Sequence, residues 1–476
     1  MIYLIIGTTF IKIIDLCYLF QIKEYRFDRF RSTFLEEGPL NILYLRQPRL
    51  PAKSMRNLLI ITIALLMLWV VLTLRSELWY SVGIVAVTLL ISPVLAWVCV
   101  AVGVVLTKPV AYAVRRRTIM RAMKKLQSHA PIVTVGISGS YGKTSTKEFL
   151  YQMLSTKYRV AKTEANKNTD VGVAQSILTN VAPDTEFFIG EVGAYKKGEV
   201  RTAAMVFHPK HAIITAFGNQ HLSLYGSREN LIEAEGEVLE ILPTDGTAYI
   251  NRDIYSFAHT SKRTSGTVTS FSATSKEADV YATEIRLDPQ DRLTAKIHYR
   301  NHSFRITTPL VGAHSIENLL PCIAFCLDHG MTRAEVVAAL KKLQPIPGKL
   351  STHQGPGESF VLNDTGNSSL HGFLAAIAAI GDMTYKKNAI ISKGIIELGK
   401  EKDSSYKQIV STIANRPIQL FTTDSLFKKY DTTDQVTVCR SESELLEKIR
   451  PYHTRSSLIL LEGKFSPRVA QNLILL

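Results

Sequence analysis

Hydrophobic positions divide the chain into two parts with different patterns. Residues 58–74 and 79–107 contain no charged residue, and the second run exceeds the roughly 20 residues that cross a bilayer. Both runs predict membrane-spanning helices. The alternative interpretation is two buried helices of a globular core, where an uncharged run of this length is rare. Residues 2–22 are a third candidate span, although Lys12 and Asp15 in its middle would be costly in hydrocarbon unless paired.

From residue 130 onward, short β-branched runs alternate with helical patterns, which is typical of an α/β domain with a largely parallel sheet. Residues 265–310 instead alternate without a helical period and predict an antiparallel insertion. A loop-like break at residues 345–348 precedes a second α/β set. The predicted strands are 133–136, 187–189, 212–216 and 248–250 before the break, and 359–362, 389–391, 418–421, 436–438 and 458–461 after it.

Charge is concentrated in the amino-terminal quarter of the 476-residue chain. Residues 1–125 contain 17 Lys and Arg against 6 Asp and Glu, a surplus of 11 out of the net charge of +15. Because basic loops stay on the cytoplasmic side, this distribution predicts a multi-pass protein of the cell membrane with residues 23–56 and everything after 108 in the cytoplasm. Membrane lipids are then expected partners. Nucleic acid is not, since no interleaved aromatic and basic pattern occurs.

The cysteines and one histidine pair give only weak signals of a metal or redox site. The five cysteines show neither a metal-binding nor a redox spacing and are expected to be reduced, buried thiols. His208 and His211 resemble a ligand pair, but they lie at the entrance to a predicted strand and are interpreted as a loop feature.

The strongest chemical signal is Gly136-Ile-Ser-Gly-Ser-Tyr-Gly-Lys-Thr-Ser145, between a β-branched run and a helical segment. A glycine-rich turn followed by Lys-Thr and a helix binds nucleotide phosphates through backbone N–H groups, a lysine charge and a hydroxyl that reaches Mg²⁺. Five residues rather than four separate Gly136 from Gly142, and the tighter pattern begins at Gly139. This variant indicates a narrower class than nucleotidases in general.

Further motifs follow in the order and spacing of the Mur ligases, which residues 130–476 resemble. They are Thr163-Glu-Ala-Asn-Lys-Asn-Thr-Asp-Val-Gly172, Glu191-Val-Gly193, Asn219-Gln-His-Leu222, Gly312-Ala-His-Ser-Ile-Glu-Asn318, Asn363-Asp-Thr-Gly-Asn367 and Glu397-Leu-Gly399. The resemblance implies a phosphate-loop central domain at 118–348 and a Rossmann-like α/β domain at 349–476, after an α-helical transmembrane region at 1–117. It also implies an ATP- and Mg²⁺-dependent, ADP-forming ligase that makes an amide bond through an acyl phosphate.

Residue roles are carried over from the same resemblance. Lys143, Glu191, His221 and Glu235 are the expected catalytic residues, and Thr144, Glu191 and His221 the expected metal ligands. Asn318 would contact adenine, Lys349 takes the place of an arginine that contacts phosphate, and Asp364 would hold the ribose or orient Lys349. The complete nucleotide-binding set is Gly139, Ser140, Gly142, Lys143, Thr144, Ser145, Asn318, Lys349 and Asp364.

Glu235 occupies a position where many Mur ligases have a carbamylated lysine that supports a second metal. We hypothesise that Glu235 supplies this negative charge directly, without bicarbonate. The alternatives are a lost second-metal site and a correspondence displaced by one helical turn.

The resemblance is closest to the member that adds D-alanyl-D-alanine to a UDP-muramoyl tripeptide. Departures at Asn363, Gly366, Ser369-Leu370 and Glu462-Gly-Lys464 lie in the region expected to meet the incoming amine. Membrane runs also replace the usual uridine-binding domain, so the acyl donor could be UDP-linked or lipid-linked. The alternatives are a membrane-anchored ligase that makes another conjugate or a poly-γ-glutamate-like polymer, and a non-enzymatic scaffold, against which Lys143, Thr144, Glu191 and His221 all argue.

Overall fold

The computed structural model describes residues 2–74, 82–129, 131–164, 167–193, 196–218, 225, 227–366, 369–395 and 402–475. The chain forms two compact units, Met1–Arg117 and Thr118–Leu476. The second is a mixed α/β structure built on two sheets.

The first unit is helical. Its elements are α1 (Ile2–Ile22), α2 (Phe27–Glu37), a short π-helix (Asn41–Leu45), α3 (Met55–Leu74) and the start of α4 (Val82–Gln127). The charges in the middle of α1 are paired: Lys12 Nζ lies 3.3 Å from Asp15 Oδ2, and the side chain of Asp15 is 1% exposed. The backbone N–H of Arg49 donates to Asp15 Oδ1 at 3.1 Å. This buried carboxylate therefore ties α1 to the segment before α3.

The prediction of a multi-pass membrane protein is wrong. Among the described residues, one helix segment, Leu90–Gln127, is long and apolar enough to cross a membrane by length and composition. The apolar part of α3, Met55–Val71, is shorter, and α1 carries its buried ion pair. The hydrophobic runs form helices, as their composition predicts, but they do not make three spans.

The central sheet of the second unit has nine strands in the described residues, in the order β2-β3-β1-β4-β5-β6-β7-β8-β9. They are β1 (Val133–Ser138), β2 (Val160–Lys162), β3 (Phe187–Glu191), β4 (His211–Ile214), β5 (Thr247–Asn251), β6 (Thr267–Ser272), β7 (Val280–Leu287), β8 (Leu293–Tyr299) and β9 (His302–Thr308). Neighbouring strands from β2 to β7 in this order pair parallel. Strand β8 pairs antiparallel with both β7 and β9. The predicted antiparallel insertion is confirmed for the pairings of β7, β8 and β9, whereas the prediction is wrong for β6, which runs parallel to both of its neighbours.

Alternate residues of the parallel strands face two different cores, because side chains on a strand point to opposite faces. On β3, Phe187 and Ile189 join one apolar cluster, and Phe188 joins the other. The covering helices are α5 (Lys143–Leu154), α6 (Asp170–Asn180), α7 (Glu199–Ala204), α8 (Arg228–Glu235), α9 (Phe257–Thr260), α10 (His314–Asp328) and α11 (Arg333–Lys341). The parallel strands β1 and β3 to β5 are therefore buried on both faces, whereas β7, β8 and β9 alternate buried and more exposed residues.

The second sheet has the order β10-β11-β15-β12-β13-β14. Its strands are β10 (Ser351–Gln354), β11 (Phe360–Asp364), β12 (Lys387–Ser392), β13 (Ile418–Thr422), β14 (Val436–Val438) and β15 (Ser457–Glu462), and all but β10 run parallel. Its helices are α12 (Leu370–Gly381), α13 (Lys402–Ala414), α14 (Leu426–Lys429), α15 (Glu442–Lys448) and α16 (Pro467–Leu473). Strands occur at every segment where the sequence predicts one. The division into two domains at 348/349 stays a prediction.

Serine and threonine side chains begin several of these helices. Each accepts a hydrogen bond from a backbone N–H of the first turn, which would otherwise lack a partner. The residues are Thr169, Ser227, Thr332, Ser369 and Ser441.

A buried histidine pair links β4 to the end of α10. His211 Nε2 lies 3.2 Å from His329 Nε2, and His211 Nδ1 accepts from the Thr247 N–H at 3.2 Å. His329 Nδ1 lies 2.8 Å from the Phe325 carbonyl oxygen, so each ring has one donor and one acceptor position in use. His211 is thus not a loop residue but the first residue of β4.

Both rings are held neutral. Burial lowers the pKa of His211 to about 4, helped by His329 and Lys210 and opposed by Asp245 and Asp328. Burial also lowers the pKa of His329, which its hydrogen bond to Phe325 opposes. Protonation of His211 at Nδ1 would break its contact with the Thr247 N–H, and protonation of His329 at Nε2 would break the contact between the two rings.

We expect the free energy of unfolding to fall on acidification from pH 7.5 to 5. The unfolded chain takes up a proton near pH 6.5, whereas folded His211 does so only near pH 4, so the neutral pair stabilises above pH 6.5 and this contribution is lost as the pH falls. The loss from His211 is about 2 kcal/mol. Chemical denaturation at both pH values measures it. His211→Gln should flatten the dependence, and the exposed neighbour variant His208→Gln should keep it; equal slopes in both variants would contradict the assignment.

Candidate functional site

The glycine-rich loop joins β1 to α5 and has a backbone that only glycine accommodates at two positions. Gly139 has φ +132° and Gly142 has φ +84°. A Cβ atom at Gly139 would lie 2.3 Å from Thr215 Oγ1, and one at Gly142 would lie 2.4 Å from Asn318 Oδ1. Left-handed conformation and close approach therefore coincide at both glycines.

Hydrogen bonds hold the loop to the segment after β4. The Ser140 N–H donates to the Ala216 carbonyl at 2.7 Å, and Thr215 Oγ1 donates to the Tyr141 carbonyl at 2.6 Å. Lys143 Nζ donates to the Gly139 carbonyl and lies 3.4 Å from that of Ser140. Lys143 is thereby folded back over the loop that precedes it.

Glu191 ends β3 and lies beside the first turn of α5. Its register partner on β1 is Ile137, so the carboxylate emerges at the carboxyl edge of the parallel sheet, next to the loop. Thr144 Oγ1 donates to Glu191 Oε1 at 3.2 Å. The structure thus brings these two predicted metal ligands together. The third, His221, lies outside the described residues.

Glu235, the last residue of α8, lies under the loop rather than in solvent. Its Oε2 accepts from Ser138 Oγ at 2.6 Å and from the Gly139 N–H at 3.0 Å, and its Oε1 is 3.9 Å from Lys143 Nζ. The residue is 3% exposed. Two hydrogen-bond donors and one cation therefore hold a buried negative charge beside the loop.

Asn318 lies on α10, opposite the start of α5. Its Oδ1 accepts from Thr146 Oγ1 at 3.4 Å, and its Nδ2 lies 3.5 Å from the His314 carbonyl. The side chain therefore lies at the loop, near Gly142. Ser145 is half-buried in the first turn of α5.

Lys349 lies just before β10 and Asp364 ends β11, and both face the same site. Burial lowers the pKa of Lys349, and the charges of Asp364, Glu191 and Glu462 oppose that shift while Lys143 adds to it. Burial raises the pKa of Asp364, which Lys349 and the Leu350 N–H oppose. Lys349 therefore interacts with charges of both sheets.

Two features of the site escaped the sequence analysis. Lys147 is fully buried with Nζ 3.1 Å from Glu191 Oε2. Its spacing of three residues after Thr144 is a signal that both share one helix face. The Tyr141 ring stacks on His371 of α12, with ring centroids 4.4 Å apart, and no pattern in the sequence predicts this contact.

The residues fit a magnesium ion and a nucleotide in part. Thr144 and Glu191 converge as oxygen donors, and Mg²⁺ is commonly held by one or two carboxylates together with phosphates and water. Ser140 Oγ is buried without a hydrogen-bond partner in the part of the chain that the structure describes, as expected of a group that meets a ligand. In the same part, no three His, Cys, Asp or Glu side chains cluster as a metal site.

Comparison with known proteins identifies relatives. Residues 137–326 match the family described as the Mur ligase middle domain. The UDP-N-acetylmuramoyl-tripeptide--D-alanyl-D-alanine ligase of Escherichia coli K12 is 27% identical over 60% of this chain and 62% of its own length. The Bacillus subtilis 168 ligase of the same name is 25% identical over 69% of this chain and 72% of its own. This chain thus spans less than two thirds of the E. coli relative.

A solved structure shares the fold. The MurF ligase of Thermotoga maritima in complex with ADP superposes with a TM-score of 0.68 at 20% identity, covering 75% of this chain and 82% of that one. At this identity the likeness shows the two-sheet fold alone. The names of the relatives give no support to the polymer-forming alternative, to a lipid-linked donor or to membrane lipids as partners.

We expect Gly142→Ala to lower the free energy of unfolding by more than Gly198→Ala does. Both glycines precede a helix with nearly the same left-handed backbone, φ +84° and +92°, and each variant bears the conformational cost of about 1–2 kcal/mol. At Gly198 no atom of the described residues lies within 4 Å of the added Cβ, whereas at Gly142 it meets Asn318. Chemical denaturation of both variants measures the difference, about 1–3 kcal/mol. Equal losses would show that Asn318 does not constrain the loop.

Proposed function

Since the Mur ligase middle domain makes this chain a member of the Mur ligase family, we propose that it is an ATP-dependent ligase that forms an amide bond. Its proposed substrates are a UDP-muramoyl tripeptide and D-alanyl-D-alanine, which the names of the relatives specify. The observation that carries the proposal is the contact of Thr144 with Glu191 beside a phosphate-binding loop that begins with Gly139.

The proposed reaction transfers phosphate to a carboxylate and then exchanges it for an amine. An oxygen of the tripeptide carboxylate bonds to the γ-phosphorus of ATP as the bond to ADP breaks. The amine nitrogen then attacks the acyl carbon of the acyl phosphate, inorganic phosphate leaves, and the nitrogen loses a proton. Both steps bring anions together, so the site requires cations more than a protein nucleophile.

The residues of the loop have separate proposed tasks. Lys143 leaves its loop carbonyls to neutralise the β- and γ-phosphate oxygens. Ser140 Oγ supplies a hydrogen bond that it lacks in the described structure. Thr144 and Glu191 would hold Mg²⁺, which would neutralise phosphate charge when bound, and His221 is the proposed ligand of a second metal.

The remaining predicted residues surround these groups. Asn318 is proposed to contact the adenine, since it lies by Gly142 at the start of α5. Lys349 is proposed to contact phosphate, because its charge already interacts with Glu191 and Lys143. Asp364 orients Lys349 or holds the ribose.

The second sheet carries the departures from the family pattern. Glu462 is fully buried at the end of β15, in register with Asp364 on β11. Two carboxylates and Lys349 therefore meet at the edge of the second sheet. We propose that residues 118–348 bind the nucleotide together with Lys349 and Asp364, and that residues 349–476 also receive the incoming amine.

We expect ATP hydrolysis to phosphate only when both substrates are present, together with formation of the UDP-muramoyl pentapeptide. Lys143→Ala should lower kcat/KM by about 10²–10³-fold, because the charge it supplies acts on the transferring phosphate. The exposed Lys342→Ala is the matched control and should keep full activity. Phosphate release coupled to mass spectrometry of the product measures both, and a wild type that binds ATP without forming product would refute the proposed substrates.

Glu235 is proposed to supply the charge that a carbamylated lysine supplies in relatives, since its buried carboxylate faces Lys143. We expect the wild-type rate to be the same with and without added bicarbonate. Glu235→Ala should lower kcat by about 10²-fold or more, and Glu235→Lys should regain activity only with bicarbonate. Steady-state rates in degassed and bicarbonate-supplemented buffer test this. A bicarbonate requirement in the wild type, or full activity of Glu235→Ala, would contradict it.

A further inference from the structure

A lysine without solvent contact lies behind the proposed magnesium site. Lys147 is 0% exposed, and its Nζ lies 3.1 Å from Glu191 Oε2 and 3.5 Å from Glu148 Oε1. A buried ammonium is costly unless carboxylates compensate it. The two carboxylates therefore account for its burial.

Glu148 is shared with another cation. Its Oε2 binds Lys162 Nζ, and Lys162 in turn lies 4.1 Å from the centre of the Tyr151 ring. Lys147 is thus left with Glu191 as the closer of its two carboxylates. The result is a row of alternating charges that ends at Glu191.

The two oxygens of Glu191 have different partners. Oε1 accepts from Thr144 Oγ1, and Oε2 faces Lys147. Thr144 and Lys147 are three residues apart on α5 and therefore lie on one face of that helix. One face of the helix therefore contacts both oxygens of the carboxylate, Oε1 through the Thr144 hydroxyl and Oε2 through the Lys147 ammonium.

We propose that Lys147 is a positioning residue that neutralises Glu191 through Oε2 and leaves Oε1 with Thr144 as a half-site for a divalent cation. The inference rests on the proposed function, in which this cation arrives with ATP. Because Lys147 already compensates the carboxylate, a free cation gains little from it. The phosphates of the nucleotide supply the missing negative charge, so the cation binds as its nucleotide complex and not alone.

Binding of Mn²⁺ to the full-length protein at pH 8 tests this, with free Mn²⁺ followed by electron paramagnetic resonance. Titrations are made without nucleotide and with β,γ-imido-ATP. We expect the wild type to bind Mn²⁺ at least tenfold more weakly without the nucleotide. Lys147→Met should bind Mn²⁺ alone about tenfold more tightly than the wild type, because Glu191 loses its compensating charge.

Two variants serve as controls. Lys147→Arg keeps the charge and should keep wild-type affinity. Lys162→Met removes a lysine from the same row without touching Glu191, and should also leave Mn²⁺ affinity unchanged. Adding Glu191→Gln to Lys147→Met should abolish the gain. Circular dichroism and thermal unfolding verify that each variant is folded.

The outcomes separate this inference from the proposed function. Equal Mn²⁺ affinity of folded Lys147→Met and the wild type, or an equal gain in Lys162→Met, would overturn the role of Lys147 even if the ligase forms its product. If Lys147→Met does not fold, the wild type alone decides: Mn²⁺ binding that is as tight without nucleotide as with it overturns the inference. Ligase assays of the wild type test the function independently.

Discussion

The candidate site depends on pairing opposite charges where water is largely excluded. Three lysines and four carboxylates lie near the carboxyl edges of the two sheets. The lysines are Lys143, Lys147 and Lys349, and the carboxylates are those of Glu191, Glu235, Asp364 and Glu462. A buried charge without a partner shifts its pKa or destabilises the fold. Removing one member therefore disturbs its neighbours, so effects of single substitutions at this edge will not be additive. The sheets matter because parallel strands bring their carboxyl ends to a common edge.

The sequence predicts the sheets well because the parallel strands are buried on both faces, which produces short continuous β-branched runs. The resemblance to the Mur ligases also implies that Thr144 and Glu191 lie together as metal ligands, and the two side chains are in contact. It does not predict the contacts of Glu235, because a residue at the end of α8 reaches Ser138 only through tertiary packing. Lys147 is missed for a related reason. A lysine on a helix is usually solvated, and its burial depends on Glu191, 44 positions later in the chain.

Hydropathy was least informative in the first unit. An uncharged run is equally compatible with the interior of a helical unit and with a bilayer, because both environments exclude water. Lys12 and Asp15 show how the distinction arises. In the sequence they are two charges that argue against a membrane span, whereas in the structure they form an ion pair and Asp15 also accepts a hydrogen bond from the Arg49 N–H. Whether such a pair exists depends on segments distant in sequence. The number of membrane spans therefore could not be read from apolar length alone.

The proposed nucleotide site is shared between the two sheets of the second unit. The Tyr141 ring of the loop stacks on His371, and the charge of Lys349 interacts with Glu191 and Lys143. Electrostatic interactions of this kind weaken as charges separate and water enters. Displacing the second sheet would therefore change the charge balance at Glu191 even if the loop stayed intact. In the proposed reaction, phosphate transfer takes place at the γ-phosphorus and amine attack at the acyl carbon. A site divided between two sheets can supply different groups to these two steps.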